Sequence, residues 1–223
     1  MDTFKYKENK LHCEDVNLSE IASSFGTPAY VYSKKALTEN ALMYVNSFTN
    51  PDNMACFSVK SLSNLSVLKL LKEVGCGFDV VSGGEMHRAL SIGADPKSII
   101  FSGVGKSSDE IKQGILNKIL SFNVESVSEL YKIEAIAKKL QMNASVSIRF
   151  NPDIDSGGHD YITTGRKGDK FGISSIEDIL NLSTYISESP NLNMVGLACH
   201  IGSQIINLES YKETAQRTFE LAD

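Results

Sequence analysis

Cysteines, basic clusters and long apolar runs are all scarce in this sequence, and each scarcity excludes a class of protein. The chain contains 4 cysteines, at positions 13, 56, 76 and 199, and no Cys-x-x-Cys pair. We therefore expect structural thiols in a reducing compartment, rather than a disulfide framework or a zinc site. The formal net charge is −5, and the lysines are scattered along the chain. This distribution argues against a nucleic-acid partner or an anionic membrane surface.

The N-terminal residues and the overall composition are those of an ordinary globular protein. Residues 1–7 lack the apolar core of a signal peptide, and no apolar run approaches the length of a membrane span. We therefore expect a cytoplasmic location. With 223 residues, 42% of them hydrophobic, the chain can build one substantial core. A single α/β barrel is possible at this length, at the lower end of the usual range.

The periodicity of the sequence predicts strands that alternate with helices, which is typical of a parallel sheet. Predicted strands cover residues 55–60, 78–82, 98–102, 120–124, 146–150 and 195–200. Predicted helices cover residues 33–48, 64–74, 83–93, 107–117, 126–141 and 176–186, with a last helix from about residue 208. Ser33 is a predicted N-terminal cap, and Ser107 with Glu110 forms a predicted capping box. The pattern therefore contains six βα units.

Polar residues stand at or just after the ends of these predicted strands, and their placement bears on the fold class. They are Lys60, Ser82, Ser102, Glu125, Arg149 and His200. Continuous apolar strands fit both a doubly wound open sheet and an eight-stranded barrel. Polar side chains gathered at the carboxyl ends of the strands favour the barrel, which builds its active site there. Six units leave a closed barrel two strands short, so we expect an incomplete (β/α)8 barrel of the α/β class.

Two of these residues, Lys60 and His200, suggest a cofactor. Lys60 ends one apolar run, and His200 ends another and is followed by the pair Gly202 and Ser203. A partly desolvated lysine amine becomes nucleophilic, so these parts suit a phosphorylated carbonyl cofactor such as pyridoxal phosphate. Each residue also has an ordinary explanation, because a lysine can simply end a strand in solvent and a histidine can be a hydrogen-bonded core residue.

The insert between residues 151 and 172 is glycine-rich and has little periodicity, so it is predicted to be a functional loop. Within it, His159 and Arg166 are either solvated polar residues or substrate contacts. Gly83 and Gly84 are likewise either a tight strand-to-helix turn or direct cofactor contacts.

Six segments resemble the diaminopimelate decarboxylase family in the same order and spacing. They are residues 57–60 (FSVK), 78–85 (FDVVSGGE), 101–106 (FSGVGK), 149–152 (RFNP), 157–172 (GGHDYITTGRKGDKFG) and 200–204 (HIGSQ). The resemblance runs from about residue 26 to the end of the chain. The segment at 157–172 is the most specific, because it distinguishes this family from its ornithine and arginine decarboxylase relatives.

The resemblance implies a fold, a reaction and an oligomeric state. The family has an alanine-racemase-like (β/α)8 barrel followed by a β-domain and belongs to the fold-type III enzymes that depend on pyridoxal 5'-phosphate (PLP). Its members work as homodimers that convert meso-diaminopimelate to lysine and carbon dioxide. Residues 1–32 would be an N-terminal segment that packs with the β-domain, and residues 33–223 would form part of the PLP-binding barrel.

The resemblance also assigns roles to five residues. Lys60 would bind the cofactor covalently, His200 would stack on its ring, and Ser203 would bind its phosphate. Asp79 and Arg149 resemble the polar residues that line the ring-facing side of the barrel.

The sequence departs from the family in two respects. Ser61 and Leu62 follow the lysine, where the family usually has Ala-Asn. The family's glycine-rich phosphate loop, its Glu-Pro-Gly-Arg segment and its cysteine motif are not found in the sequence. The chain thus resembles the N-terminal half of the enzyme, and we expect it to have little activity alone. The alternatives are a PLP-dependent decarboxylase of another basic amino acid, or an inactive fragment that binds cofactor or dimerises.

Overall fold

The computed structural model describes residues 3–154 and 171–222. The chain divides into two compact units, Met1–Phe78 and Asp79–Asp223. Within the described residues, none of the helices is long and apolar enough to cross a membrane.

The first unit begins with a small antiparallel sheet that the sequence pattern did not predict. Its strands are β1 (Phe4–Lys7), β2 (Lys10–Cys13) and β3 (Val16–Asn17), in the order β1-β2-β3, and helix α1 (Leu18–Phe25) follows directly. Asn17 caps α1 by accepting a hydrogen bond from the Ser19 N–H. Every residue of β1 is at least partly exposed, so this short strand has no apolar alternation for a pattern to detect.

The rest of the first unit follows the predicted pattern closely. Helix α2 (Lys34–Val45) is capped by Ser33, and helix α3 (Leu65–Val74) is capped by Asn64. Gly75 ends α3 with a φ of +103°, a left-handed conformation that favours glycine. Strand β4 (Cys56–Ser58) comes between the two helices in the sequence.

The main sheet contains, among the described residues, six strands in chain order, β4 to β9. The later strands are β5 (Gly77–Val80), β6 (Ile99–Phe101), β7 (Ser121–Val124), β8 (Ala144–Arg149) and β9 (Leu192–Ala198). The helices that follow them are α4 (Gly83–Ser91), α5 (Ser108–Asn117), α6 (Val127–Leu140), α7 (Ile176–Glu188) and α8 (Leu208–Ala222). Strands β6 to β9 pair in parallel. The predicted series of six βα units is therefore confirmed.

Alternation along the central strands separates an apolar layer from a polar one. The rings of Phe101 and Phe122 are fully or almost fully buried and stack with centroids 6.0 Å apart. Helix α5 approaches this layer closely, because a Cβ added at Gly114 would collide with the ring of Phe122. On β7 and β8, alternate positions carry hydrogen-bonded polar groups, such as the hydroxyls of Ser121 and Ser147, which are 2.9 Å apart.

Some predicted strands end earlier in the structure than in the sequence pattern. Lys60 was predicted at the end of a strand but lies in a one-turn 3₁₀ helix, Val59–Ser61, after β4. His200 lies two residues beyond the end of β9. Ser82 caps α4 by accepting the Glu85 N–H and is not part of β5. In each case the chain leaves the strand ladder, to enter a 3₁₀ turn at Lys60, a helix at Ser82 and a turn at His200.

Glu110 links the N-termini of α4 and α5. Its carboxylate accepts the Gly83 N–H at 2.7 Å and the Ser107 N–H at 2.9 Å, and the latter bond completes the predicted capping box. The hydrogen bond from Gly83, followed by the one from Ser107, lowers the pKa of Glu110 below its usual value. A carboxyl group with a lowered pKa stabilises the fold above its unfolded pKa and loses that contribution as pH falls through its folded pKa.

Replacing Glu110 with glutamine should therefore reduce the free energy of unfolding by about 1–2 kcal/mol at neutral pH. The deficit should shrink near pH 3, where the native carboxyl is itself being protonated. Urea unfolding at both pH values checks this. The matched control is Asp109→Asn in the same helical turn, which should have a much smaller effect. A Glu110→Gln deficit of equal size at both pH values would contradict the assignment.

Candidate active site

Lys60 lies in a short turn that is closed by hydrogen bonds between the neighbouring residues. The Leu62 N–H donates to the Val59 carbonyl at 3.1 Å, and the Ser61 hydroxyl donates to the Ser58 carbonyl at 2.7 Å. Val59 is fully buried and Lys60 is exposed. Ser61, one of the two residues that depart from the family pattern, therefore stabilises the turn that carries the lysine.

The ammonium group of Lys60 has no hydrogen bond or ion pair within the described residues. Lys106 is the opposite case, because its side chain is buried and donates to the carbonyls of Gly103 and Asn123 at 2.6 and 2.8 Å and to Glu129 at 2.5 Å. All three donors of Lys106 are thus occupied. Of these two lysines, only Lys60 has an amine that is free to react with a carbonyl compound.

Asp79 belongs to a chain of hydrogen bonds across the ends of three strands. The Ser102 hydroxyl donates to Oδ1 of Asp79 at 2.5 Å, and Nδ2 of Asn123 donates to the Ser102 hydroxyl at 2.9 Å. Because Asn123 supplies the donor, the hydroxyl proton of Ser102 is directed at the carboxylate. The arrangement fixes the orientation of a negative charge at this end of the sheet.

Arg149 is buried at the end of β8 and is held on two sides. Its Nη1 atom donates to Oε1 of Glu125 at 2.5 Å, and its Cζ atom lies 5.4 Å from the centroid of the Phe171 ring. A guanidinium that is bound both to a carboxylate and to an aromatic face keeps a single orientation.

The turn after β9 orients the imidazole of His200. Its Nδ1 atom accepts the Gly202 N–H at 3.0 Å, so the ring is the tautomer that carries its proton on Nε2. Gly202 has a φ of +135°, which favours glycine. Ser203 follows and is exposed, and its hydroxyl has no hydrogen bond within the described residues.

The segment at 157–170, with His159 and Arg166, lies outside the described residues. Gly83 and Gly84 form the first turn of α4, and the N–H of Gly83 is already bound to Glu110. A cavity of about 560 Å³ is lined by residues that include Phe150, Ile176 and Arg217, and none of the five predicted site residues contributes to its lining.

A sequence profile of the pyridoxal-dependent decarboxylases, describing their pyridoxal binding domain, matches residues 34–223. The chain belongs to this family. Its cofactor is pyridoxal phosphate, as the sequence predicted.

Known members of the pyridoxal-dependent decarboxylase family resemble the chain over its whole length. The diaminopimelate decarboxylase of Haemophilus influenzae is 42% identical over 223 residues, which are 100% of this chain and 54% of that protein. The chain thus spans about half the length of the curated relatives it matches.

Solved structures of the family share the fold. The diaminopimelate decarboxylase from Helicobacter pylori, complexed with L-lysine, is 40% identical with a TM-score of 0.88, and the match covers 92% of this chain and 52% of that one. The enzyme from M. jannaschii, also in complex with L-lysine, is 33% identical with a TM-score of 0.88, over 98% and 52% of the two chains. These matches confirm the predicted fold class, an incomplete (β/α) barrel of the fold-type III decarboxylases.

The side chains fit pyridoxal phosphate by their chemistry. Within residues 3–154 and 171–222, the amine of Lys60 and the hydroxyl of Ser203 have no partner, and His200 has a planar ring of fixed orientation. An amine, a ring and a hydroxyl suit an aldehyde, a cofactor ring and a phosphate oxygen respectively. Asp79 adds a carboxylate whose orientation is fixed by Ser102.

Sequence reasoning missed the buried groups that support these residues. It placed Ser102 and Glu125 at strand ends without a role, and it did not single out Asn123, Lys106 or Glu129. One signal was available, because Glu125 and Glu129 are four residues apart at the start of a helix and so can lie close together. Their ion-pair partners, Lys106 in the loop after β6 and Arg149 at the end of β8, are distant in sequence, and no spacing in the sequence indicates them.

Proposed function

We propose that this chain is the cofactor-binding part of a diaminopimelate decarboxylase that converts meso-diaminopimelate to lysine and carbon dioxide. The observation that carries the proposal is the 42% identity to such an enzyme over the whole chain, together with the amine of Lys60, which has no partner in the part of the chain that the structure describes. The L-lysine complexes of two related structures support an amino acid as substrate or product. We further propose a cytoplasmic homodimer without nucleic-acid or membrane partners.

Each of the five residues has a role in this proposal. Lys60 binds the cofactor covalently through Nζ, His200 covers one face of the ring, and Ser203 donates a hydrogen bond to the phosphate. Asp79 and Arg149 place one negative and one positive charge on the polar side of the sheet, where they orient the ring. Pyridoxal phosphate, when bound, supplies the electron sink that accepts the electron pair left by the departing carbon dioxide.

The substrate preference should be tested with the protein expressed from the complete reading frame. Carbon dioxide release should be measured with meso-diaminopimelate, ornithine and arginine under the same conditions. The proposal predicts a clear preference for meso-diaminopimelate. A preference for ornithine or arginine would show that the enzyme belongs to another branch of the family, and no release from any of the three would overturn the proposed reaction.

The role of His200 gives a separate prediction. Replacing it with alanine removes the stacking surface and should weaken cofactor binding by about 3- to 10-fold, as expected for one aromatic contact. His200→Phe also loses the bond to the Gly202 N–H but keeps a planar ring, so it should recover part of the affinity. Titration with pyridoxal phosphate, followed by absorbance, measures the cofactor affinity of the unmodified protein and of the two variants. Equal affinities would show that His200 only fixes the turn.

A further inference from the structure

The carboxylate of Glu125 is buried directly after β7, and both of its oxygens are occupied. Its Oε1 atom accepts from Nη1 of Arg149 at 2.5 Å and from the Gly103 N–H at 3.2 Å. Its Oε2 atom accepts from the Gly172 N–H at 3.2 Å. The three donors come from three segments that are distant in sequence, so a single side chain joins them.

The segment 171–173 is bound to the end of β8 by further contacts. The Ile173 N–H donates to the Arg149 carbonyl at 2.9 Å, and the Asn151 N–H donates to the Ile173 carbonyl at 3.0 Å. Gly172 has a φ of +75°, and a Cβ at this position would lie 3.1 Å from the Arg149 carbonyl oxygen. Only glycine combines this conformation with so close an approach to the backbone.

The backbone of Glu125 is itself fixed by a second ion pair. Oε2 of Glu129 accepts the Glu125 N–H at 3.0 Å, and Oε1 of Glu129 accepts from the buried Lys106 at 2.5 Å. Two cations and two carboxylates thus form one buried network. Removing the charge of Glu125 would leave the Arg149 guanidinium buried without its counter-ion, and such a cation reorients or recruits water.

We propose that Glu125 is a positioning residue of the cofactor site. Its carboxylate holds the Arg149 guanidinium in one orientation and fixes the backbone at Gly172, so that β8 and the segment 171–173 keep one geometry. Glu125 acts through Arg149 and does not touch the cofactor. The link to the cofactor rests on the proposed function, whereas the anchoring of Gly172 does not.

Two measurements on the 223-residue chain test the proposal. Amide hydrogen exchange, resolved residue by residue, reports on Gly172 and Ile173, and a titration with pyridoxal phosphate reports the cofactor affinity. Glu125→Gln should accelerate exchange at Gly172 by about tenfold or more, as expected when a hydrogen bond to a charged group is lost. Exchange at Ile173, whose N–H donates to the Arg149 carbonyl, should rise as well because the segment 171–173 loses its anchor. Glu125→Gln should also weaken cofactor binding several-fold. Glu125→Asp keeps the charge on a shorter side chain and should restore part of both.

The matched control is Glu110→Gln. Glu110 is also a carboxylate that accepts a backbone N–H from a distant segment, but it has no bond to β8 or to residues 171–173. Once exchange is corrected for the lower global stability of this variant, Glu110→Gln should leave exchange at Gly172 and the cofactor affinity unchanged. The double variant Glu125→Gln with Arg149→Gln removes both charges of the Glu125–Arg149 pair. It should therefore fold even where the single variant does not, and its exchange at Gly172 should still be fast.

The outcomes are distinguishable. If exchange at Gly172 in Glu125→Gln, or in the double variant, matches the unmodified chain, the anchoring role is overturned. If exchange is fast but the cofactor affinity is unchanged, the link to the cofactor site is overturned. A failure of the unmodified chain to bind pyridoxal phosphate counts against the proposed function, and the exchange result still decides the role of Glu125 at Gly172.

Discussion

Replacing Lys60 with alanine should lower kcat/KM for meso-diaminopimelate by at least about 1000-fold in the product of the complete reading frame. Loss of a covalent group typically removes three or more orders of magnitude, because the remaining contacts bind the reactants without activating them. The same variant should no longer retain pyridoxal phosphate after extensive dialysis. Steady-state carbon dioxide release and the absorbance of the retained cofactor measure the two effects.

The matched control for Lys60 is Lys97→Ala. Lys97 is also exposed, and its ammonium group has no partner within the described residues. Its removal should leave turnover and cofactor retention within about twofold, since isolated surface changes are close to neutral. If Lys60→Ala were as active as Lys97→Ala, Lys60 would not be required for the reaction.

Replacing Lys106 with methionine should be among the most destabilising single changes in the chain, costing about 3–5 kcal/mol of unfolding free energy. The Lys106 and Glu129 side chains are 1% and 9% exposed, and their charged atoms are 2.5 Å apart. Without the lysine, the carboxylate of Glu129 stays buried with no counter-ion, and two backbone carbonyls lose their donor. Urea unfolding of the 223-residue chain measures the loss.

A double-mutant cycle separates this effect from simple packing. Lys106→Met combined with Glu129→Gln removes both charges, so it should destabilise by clearly less than the sum of the two single changes. Lys132→Met is the matched control, because Lys132 is exposed and, among the described residues, its ammonium group donates only to the Lys106 carbonyl. It should cost less than about 1 kcal/mol. Additive losses in the cycle would mean that the two charges do not stabilise one another.

The helices were predictable because the residues that cap them are close in sequence to the helix itself. Ser33 and Ser107 each accept a hydrogen bond from an N–H of the helix that follows, as their sequence positions indicated. Gly75 ends α3 where the pattern placed the stop. These signals involve residues three or four positions apart and do not depend on the rest of the fold.

Local sequence signals do not predict the N-terminal sheet or the buried charge network. Strands β1 and β2 are four residues long, and β1 is largely exposed, so neither produces a periodic pattern. Glu125 sits next to Ser126 in sequence, yet its partners Arg149 and Gly172 are 24 and 47 residues away. The sequence showed that acidic and basic groups gather at strand ends, but the pairing between them requires the fold.

Lys60 and His200 were found because each is the polar end of an apolar run. Their detailed positions were less predictable, since β4 gives way to a 3₁₀ turn before Lys60 and β9 ends before His200. A strand ends when its ladder bonds are replaced by local ones, and here the hydroxyl of Ser61 and the imidazole of His200 make those local bonds.

The most direct test of the account is to map where the cofactor binds. The purified chain is loaded with pyridoxal phosphate, reduced with borohydride and digested, and the pyridoxyl-labelled peptide is identified by mass spectrometry. The account predicts a label on Lys60 and none on Lys106 or Lys97. A label on another lysine, with Lys60 unmodified, would contradict it.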